Sequence, residues 1–127
     1  MSAIVHALSS TDAEHEEWRL RCDMAAVFRV AARLGWNEQI GNHNSLMLPQ
    51  RRTDDPPRFL INPRGFLFQE LTASSLIVCD LDGRVLAGTG KPSAETGLHL
   101  VLYRDRPAAG AILHVHTIWK LVTKAPS

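Results

Sequence analysis

Two histidines separated by one residue, His114 and His116, are the clearest candidates for chemistry in this sequence. Side chains at positions i and i+2 of a β-strand point to the same face of the sheet. Two imidazoles on one face can share a divalent metal ion, because Zn–N bonds of about 2.0–2.1 Å require converging ligands. Two polar side chains on the solvated face of an edge strand have the same spacing, so both interpretations stay open.

A carboxylate, Glu95, is the second candidate, because it follows the glycine-rich residues 88–92 and lies in the first turn of a predicted helix. A glycine-rich loop that ends at a helix N-terminus presents unpaired N–H groups to an anion. Glu95 is equally explained as a negative charge placed at the positive end of the helix dipole.

Two further segments have the composition of anion-binding loops. Gly41 and Asn42 tolerate positive φ angles and can aim backbone N–H groups into one concavity, although such pairs are usually simple turns. Arg64 and Gly65 lie in a predicted turn, where Arg64 can bind an anion through two N–H donors or remain a solvated surface residue. The remaining histidines have no spacing that indicates a metal role: His6, His15, His43 and His99.

A long helix, predicted over residues 12–34, precedes these segments. Thr11 and Glu14 form a capping box at its start, and Gly35 follows it as a residue suited to the left-handed conformation. Apolar residues at helical spacing form its predicted buried stripe: Leu20, Met24, Val27, Phe28, Ala31 and Leu34.

Short strands and a second helix follow, in the pattern of a mixed α/β domain. Strands are predicted over residues 45–48, 59–61, 76–81, 84–87 and 111–116, with a strong hairpin signal at Asp82-Gly83. The second helix is predicted to begin at Ser93 and to place His99 on the same face as Glu95. Its predicted buried face consists of Ala94, Leu98, Val101 and Leu102, and apolar residues 118–122 indicate the start of a further helix.

The composition limits the class of protein. A length of 127 residues fits one domain, spanning residues 1–127, and the formal net charge of +1 gives no electrostatic signature of nucleic-acid or membrane binding. Two isolated cysteines, Cys22 and Cys79, both predicted to be buried, are typical of a reducing compartment. With no signal peptide or transmembrane segment in the sequence, we expect a cytoplasmic protein.

The order of the motifs resembles the class II aldolase/adducin domain family, of the fuculose-phosphate and ribulose-phosphate type. In sequence order they are Gly41-Asn42, Ile61-Asn-Pro-Arg-Gly65, Leu71-Thr72, the hairpin over residues 80–84, Lys91-Pro-Ser-Ala-Glu95, Arg106-Pro107 and His114-Val-His116. The resemblance implies an α/β/α layered domain around a mostly antiparallel sheet, commonly assembled as a cyclic tetramer.

The resemblance also implies a chemistry. Enzymes of the family hold Zn²⁺, or another divalent ion such as Mn²⁺, with three histidines, and use it to polarise a carbonyl and stabilise an enediolate. By position, His114 and His116 are similar to the first two metal ligands, and Glu95 to the acid/base carboxylate. The segments similar to the phosphate or carboxylate cradle of a small sugar-like substrate comprise Gly41, Asn42, Arg64, Gly65 and Ser93.

The sequence departs from the family pattern in three places. Arg64-Gly65 replaces the common Thr-Gly, and Ser93-Ala94-Glu95 has one hydroxyl fewer than Ser-Ser-Glu. The chain ends at Ser127, before the family's third histidine, and therefore resembles a C-terminally truncated domain that would hold its metal weakly. The expected function is an aldolase-type carbon–carbon lyase or an epimerase. The alternatives are a non-enzymatic, adducin-like assembly module and an inactive fragment.

Overall fold

The computed structural model describes residues 9–37 and 41–116. Along the chain, its elements are α1 (Ser10–Arg33), β1 (His43–Met47), β2 (Arg58–Ile61), two 3₁₀ turns (Phe68–Glu70 and Ala73–Ser75), β3 (Ile77–Asp80), β4 (Val85–Ala87), α2 (Thr96–Asp105) and β5 (Ala111–His114). The further helix predicted over residues 118–122 lies outside the described residues.

The five strands form one sheet in the order β4-β3-β2-β1-β5, and each neighbouring pair is antiparallel. The predicted hairpin joins β3 to β4, and Gly83 in its turn has φ +84°, a conformation that glycine adopts without a steric penalty. The last strand, β5, pairs with the first strand, β1. The mostly antiparallel sheet expected from the sequence is therefore confirmed.

One helix packs on each face of the sheet. Alternate residues of each strand point to opposite sides, so the same strand contributes to both contacts. Leu60 and Val78 pack with Phe28 of α1 in one buried cluster. Phe59 and Ile77 pack with Tyr103 of α2 in the other. This arrangement confirms the α/β/α layers.

Both ends of α1 are fixed by local hydrogen bonds. The helix begins at Ser10 because the Ser9 side chain accepts the N–H of Asp12 at 3.2 Å, so the predicted Thr11 capping box is wrong by two residues. Gly35 follows the helix with φ +69°, as predicted. The prediction that both cysteines are buried holds for Cys79 and is wrong for Cys22, which is exposed on α1.

The second helix turns a different face to the sheet from the one predicted. It begins at Thr96, because Ser93 lies in the turn before it and accepts the N–H of Glu95 at 3.2 Å. The expected core residues are exposed, with exposed fractions of 55% for Leu98, 64% for Val101 and 43% for Leu102. The face that packs on the sheet instead presents three polar side chains: Thr96, His99 and Tyr103. His99 and Tyr103 have buried hydrogen-bond partners, whereas the Thr96 hydroxyl has none among the described residues.

Among residues 9–37 and 41–116, no helix combines the length and the apolar character needed to cross a membrane.

Candidate active site

The pairing of the first and last strands brings two histidines together. In the β1–β5 register, His43 lies directly opposite His114. Directly opposed residues of antiparallel strands point to the same face, and the centroids of the two rings are 4.4 Å apart. The Nδ1 atom of His114 lies 2.8 Å from the Nε2 atom of His43.

Glu95 joins this pair from the N-terminal end of α2. Its Oε2 atom is 2.7 Å from His43 Nε2 and 3.8 Å from His114 Nδ1. The hydrogen bond from His43 lowers the pKa of the Glu95 carboxyl below its usual value, and the nearby His114 and His116 act in the same direction. The Glu95 side chain is 56% exposed, so a molecule from solvent can reach a carboxylate that is ionised at neutral pH.

These donor atoms fit a divalent metal. One nitrogen each of His43 and His114 and one oxygen of Glu95 all lie within 4.8 Å of one another. Imidazole nitrogen and carboxylate oxygen are the donors that zinc and similar ions accept in proteins. The last strand ends at His114, two residues earlier than predicted, so His116 lies just beyond it. The ring centroids of His114 and His116 are 5.0 Å apart, so the two predicted ligands lie next to each other beside this triplet.

The side chain of Asn62 joins two of the segments predicted to bind the anionic group of a substrate, next to the His43, Glu95 and His114 triplet. Its Oδ1 accepts the N–H of Asn44 at 3.0 Å, and its Nδ2 donates to the carbonyl of Asn42 at 3.1 Å. The loop at the end of β2 is thereby tied to the segment that begins β1. Asn42 is buried, whereas Gly41 beside it is exposed.

The Arg64 turn is tied in the same way to the loop that carries Glu95. The Arg64 N–H donates to the carbonyl of Lys91 at 2.8 Å, and Pro63 and Pro92 form an isolated antiparallel bridge. Arg64 and Gly65 are exposed, and Gly65 has φ +95°. The backbone therefore brings the Arg64 turn alongside the Ser93 turn, which leads directly into Glu95.

Three residues beneath Glu95 and His43 were not predicted as part of a site. His43 Nδ1 lies 2.6 Å from His99 Nε2, Ser45 Oγ lies 2.5 Å from His99 Nδ1, and Tyr103 OH lies 2.7 Å from Ser45 Oγ. His99 does not reach Glu95 directly, because His43 lies between them. A signal was available: the i, i+2 spacing of His43 and Ser45 and the i, i+4 spacing of His99 and Tyr103 each place two polar side chains on one face.

Comparison with known proteins gives a consistent result. A family model described as Class II Aldolase and Adducin N-terminal domain matches residues 22–125. Alpha-adducin from Rattus norvegicus is 38% identical over 102 residues, which cover 77% of this chain and 13% of the adducin. The chain spans between 13% and 38% of the length of the first curated relatives it matches.

Two solved structures share the fold. An aldolase II superfamily protein from Pseudomonas syringae has a TM-score of 0.79 and 32% identity, and the match covers 94% of this chain and 45% of the other. An L-fuculose 1-phosphate aldolase from Glaciozyma antarctica has a TM-score of 0.73 and 26% identity, covering 90% of this chain and 46% of the other.

Proposed function

This chain belongs to the class II aldolase and adducin N-terminal domain family, and from that membership we propose that it is a metal-dependent aldolase-type carbon–carbon lyase or an epimerase. The substrate class is a small sugar-like carbonyl compound that carries a phosphate or a carboxylate. The observation that carries the proposal is the convergence of Glu95, His43 and His114, whose nitrogen and oxygen atoms lie within 4.8 Å of one another. It brings one carboxylate next to a proposed metal ligand, His114, and a hydrogen-bonding histidine, His43.

Glu95 is the proposed acid/base residue. A general base must be ionised and accessible, and the lowered pKa and the 56% exposure of Glu95 meet both requirements. In either reaction Glu95 takes a proton from a carbon or hydroxyl of the substrate and later returns it. The buried His43 side chain contacts the carboxylate at 2.7 Å.

We propose that His114 and His116 hold the metal, which is Zn²⁺ or another divalent ion such as Mn²⁺. A bound divalent ion supplies a Lewis acid that polarises the substrate carbonyl and makes the adjacent C–H more acidic. The assignment is supported by the 5.0 Å separation of the two ring centroids and by the 3.8 Å distance from His114 Nδ1 to the Glu95 carboxylate.

The anionic group of the substrate is proposed to bind at the loops formed by Gly41, Asn42, Arg64, Gly65 and Ser93. Two hydrogen bonds support this grouping: the Asn62 side chain donates to the carbonyl of Asn42, and the backbone N–H of Arg64 donates to the carbonyl of Lys91. Arg64 suits a carboxylate as well as a phosphate, since a guanidinium donates two parallel hydrogen bonds to either group.

The test combines cleavage of a ketose phosphate with proton exchange in its ketone product, dihydroxyacetone phosphate. Cleavage removes a hydroxyl proton and breaks a C–C bond to leave an enediolate, and in the reverse direction the same enediolate forms by loss of a proton from the carbon adjacent to the carbonyl. The zinc-loaded chain is incubated in D₂O with L-fuculose 1-phosphate, and both deuterium incorporation and cleavage products are followed by NMR. Glu95→Gln is expected to lower the rate by roughly 100- to 10,000-fold, the range for loss of a general base. Glu14→Gln is the matched control, since it removes an exposed carboxylate on α1. Equal rates for the two variants would contradict the role of Glu95.

A second candidate function, non-enzymatic assembly, is favoured by the 38% identity to alpha-adducin. The exposed apolar residues of α2, Leu98, Val101 and Leu102, support self-association, and we propose a cytoplasmic homo-oligomer for either function. Sedimentation of Val101→Asp tests this, with Val30→Asp on α1 as the control. Loss of the oligomer in the first variant alone is the expected result. Oligomers without any exchange activity would favour the assembly module, and the absence of both would favour an inactive fragment.

A further inference from the structure

A continuous series of hydrogen bonds runs from the surface carboxylate into the protein interior. It comprises Glu95, His43, His99, Ser45 and Tyr103, and we refer to these five residues as the hydrogen-bond line. The four contacts measure 2.7, 2.6, 2.5 and 2.7 Å in that order. Beyond Glu95 every member is buried, with exposed fractions of 1% for His43, 0% for His99, 1% for Ser45 and 4% for Tyr103.

Each neutral histidine has one N–H donor and one lone-pair acceptor, so the two rings of the line can be arranged in only two directions. If His43 donates from Nε2 to Glu95, its Nδ1 must accept, and His99 donates to it from Nε2. The Nδ1 of His99 then accepts from the Ser45 hydroxyl, which in turn accepts from Tyr103. In the opposite direction, the donors and acceptors of both rings are exchanged, and the Ser45 oxygen accepts from His99.

The two ends of the line favour the first direction. At the outer end, His43 Nε2 lies 2.7 Å from the Glu95 carboxylate and 2.8 Å from His114 Nδ1. A Nε2 lone pair on His43 could accept from His114, but it would also face the lone pairs of an ionised carboxylate oxygen, which is repulsive, whereas a Nε2–H donates to the carboxylate. At the inner end, both hydroxyl protons have a partner in the first direction, because Ser45 donates to His99 and Tyr103 donates to Ser45. In the opposite direction Ser45 accepts from His99, and either the Ser45 or the Tyr103 proton then has no acceptor within the line. Burial also lowers the pKa of His99 to about 4, which keeps that ring neutral and limited to one donor.

We propose that His99 and Ser45 fix His43 as a hydrogen-bond donor to Glu95, with Tyr103 as a further partner of Ser45, so that His43 and His99 are positioning residues for the acid/base carboxylate. This inference rests on the proposed function for the role of Glu95. It separates His43 from the metal ligands His114 and His116, because a Nε2 atom that carries a proton has no lone pair for a metal. A carboxylate held at one angle is also better placed for proton transfer than a freely rotating one.

The tautomers are measurable in the metal-free chain, without any catalytic assay. Histidine labelled with ¹⁵N distinguishes protonated from unprotonated ring nitrogens by NMR near neutral pH. The expected result is Nε2–H and unprotonated Nδ1 for both His43 and His99. Protons on Nδ1 of both rings would mean that the line runs in the opposite direction, and the proposal would be overturned. Tyr103→Phe is the matched control, since Ser45 still donates to His99 in that variant and the tautomer of His99 should not change.

The positioning role has a separate kinetic test in the proton-exchange assay. His99→Leu removes the donor to His43 and is expected to lower kcat about tenfold, with KM changed less than about twofold. His99→Gln retains an amide N–H of similar reach and should recover most of that loss, which a general packing defect would not do. If His99→Leu does not fold, Ser45→Ala breaks the line one step further from the site and should lower kcat by a smaller factor.

Failure of this inference and failure of the proposed function are distinguishable. A chain that has the expected tautomers but no exchange activity retains the hydrogen-bond line and loses the proposed reaction. A chain that is active, with unchanged kcat in His99→Leu, retains the reaction and excludes the positioning role.

Discussion

Lowering the pH from 6.5 to 4 is expected to destabilise the folded chain through one residue, His99. The ring is fully buried between the sheet and α2, and burial lowers its pKa from 6.5 to about 4, with smaller effects from His43 and His114. Between these two pH values the unfolded chain binds a proton at His99 and the folded chain does not. Unfolding is therefore coupled to proton uptake, and stability falls as the pH falls.

The size of the effect follows from the two pKa values. Each pH unit between them contributes about 1.4 kcal/mol, so the interval from 6.5 down to about 4 corresponds to a loss of about 3 kcal/mol. The full contribution is present above pH 6.5 and is lost progressively toward pH 4. Groups whose pKa is lowered from 4.5, such as Glu95 and Glu17, begin to lose stability only in the lowest part of this interval. Data above about pH 5 are therefore little affected by these two carboxylates.

The assay is urea unfolding of the metal-free chain at a series of pH values, with His99→Gln as the control. Glutamine fills part of the same site and does not titrate, so the difference between the two free energies of unfolding reports His99 alone. The difference should change by about 3 kcal/mol across the interval, with the steepest change at intermediate pH. Parallel curves for the two proteins would show that His99 is not held neutral in the folded state, and the reasoning would be refuted.

Three further predictions concern packing and metal binding. Gly88→Ala should destabilise the chain by about 1–3 kcal/mol, because Gly88 has φ +97° and an added Cβ would lie 2.8 Å from Cγ2 of Ile77. The assay is urea unfolding, and an unchanged urea midpoint would contradict this close approach. Phe28→Ala, at a fully buried position, should cost about 3–5 kcal/mol in the same assay, and a cost below about 1 kcal/mol would mean that α1 does not pack as described. His114→Ala should weaken zinc affinity more than about tenfold in calorimetric titration, whereas the exposed His15→Ala should not, and equal affinities would exclude His114 as a ligand.

The fold was largely predictable because its signals are local. The stripe containing Met24 and Phe28 defines α1, and Asp82-Gly83 fixes the hairpin between β3 and β4. The antiparallel sheet and the α/β/α layers were predicted from the resemblance of the motif order to the family. Exact helix starts were less predictable, since a competing hydroxyl at Ser9 or a turn at Ser93 shifts the first residue by two or three positions.

The candidate site was predicted only in part, for a physical reason. Glu95 and His114 have local signals, but His43 becomes part of the site only through its register opposite His114, which lies 71 residues away in sequence. No local pattern encodes that register. The buried face of α2 was predicted from the spacing of its apolar residues, and that prediction was wrong. The face that packs on the sheet carries the polar residue His99, whose burial is possible because its ring nitrogens form hydrogen bonds with His43 and Ser45.

The pairing of β5 with β1 also has a consequence for biosynthesis. Because the first and the last strands of the described sheet each contribute a histidine, a growing chain cannot assemble this site until residue 114 has been added and folded back against residue 43. A metal ion seldom finds a preformed site in an unfolded chain, so tight binding here would begin only when the sheet is closed. Metal binding during synthesis would therefore report that this sheet is complete. Contacts between strands that lie far apart in sequence, such as β1 and β5, form slowly.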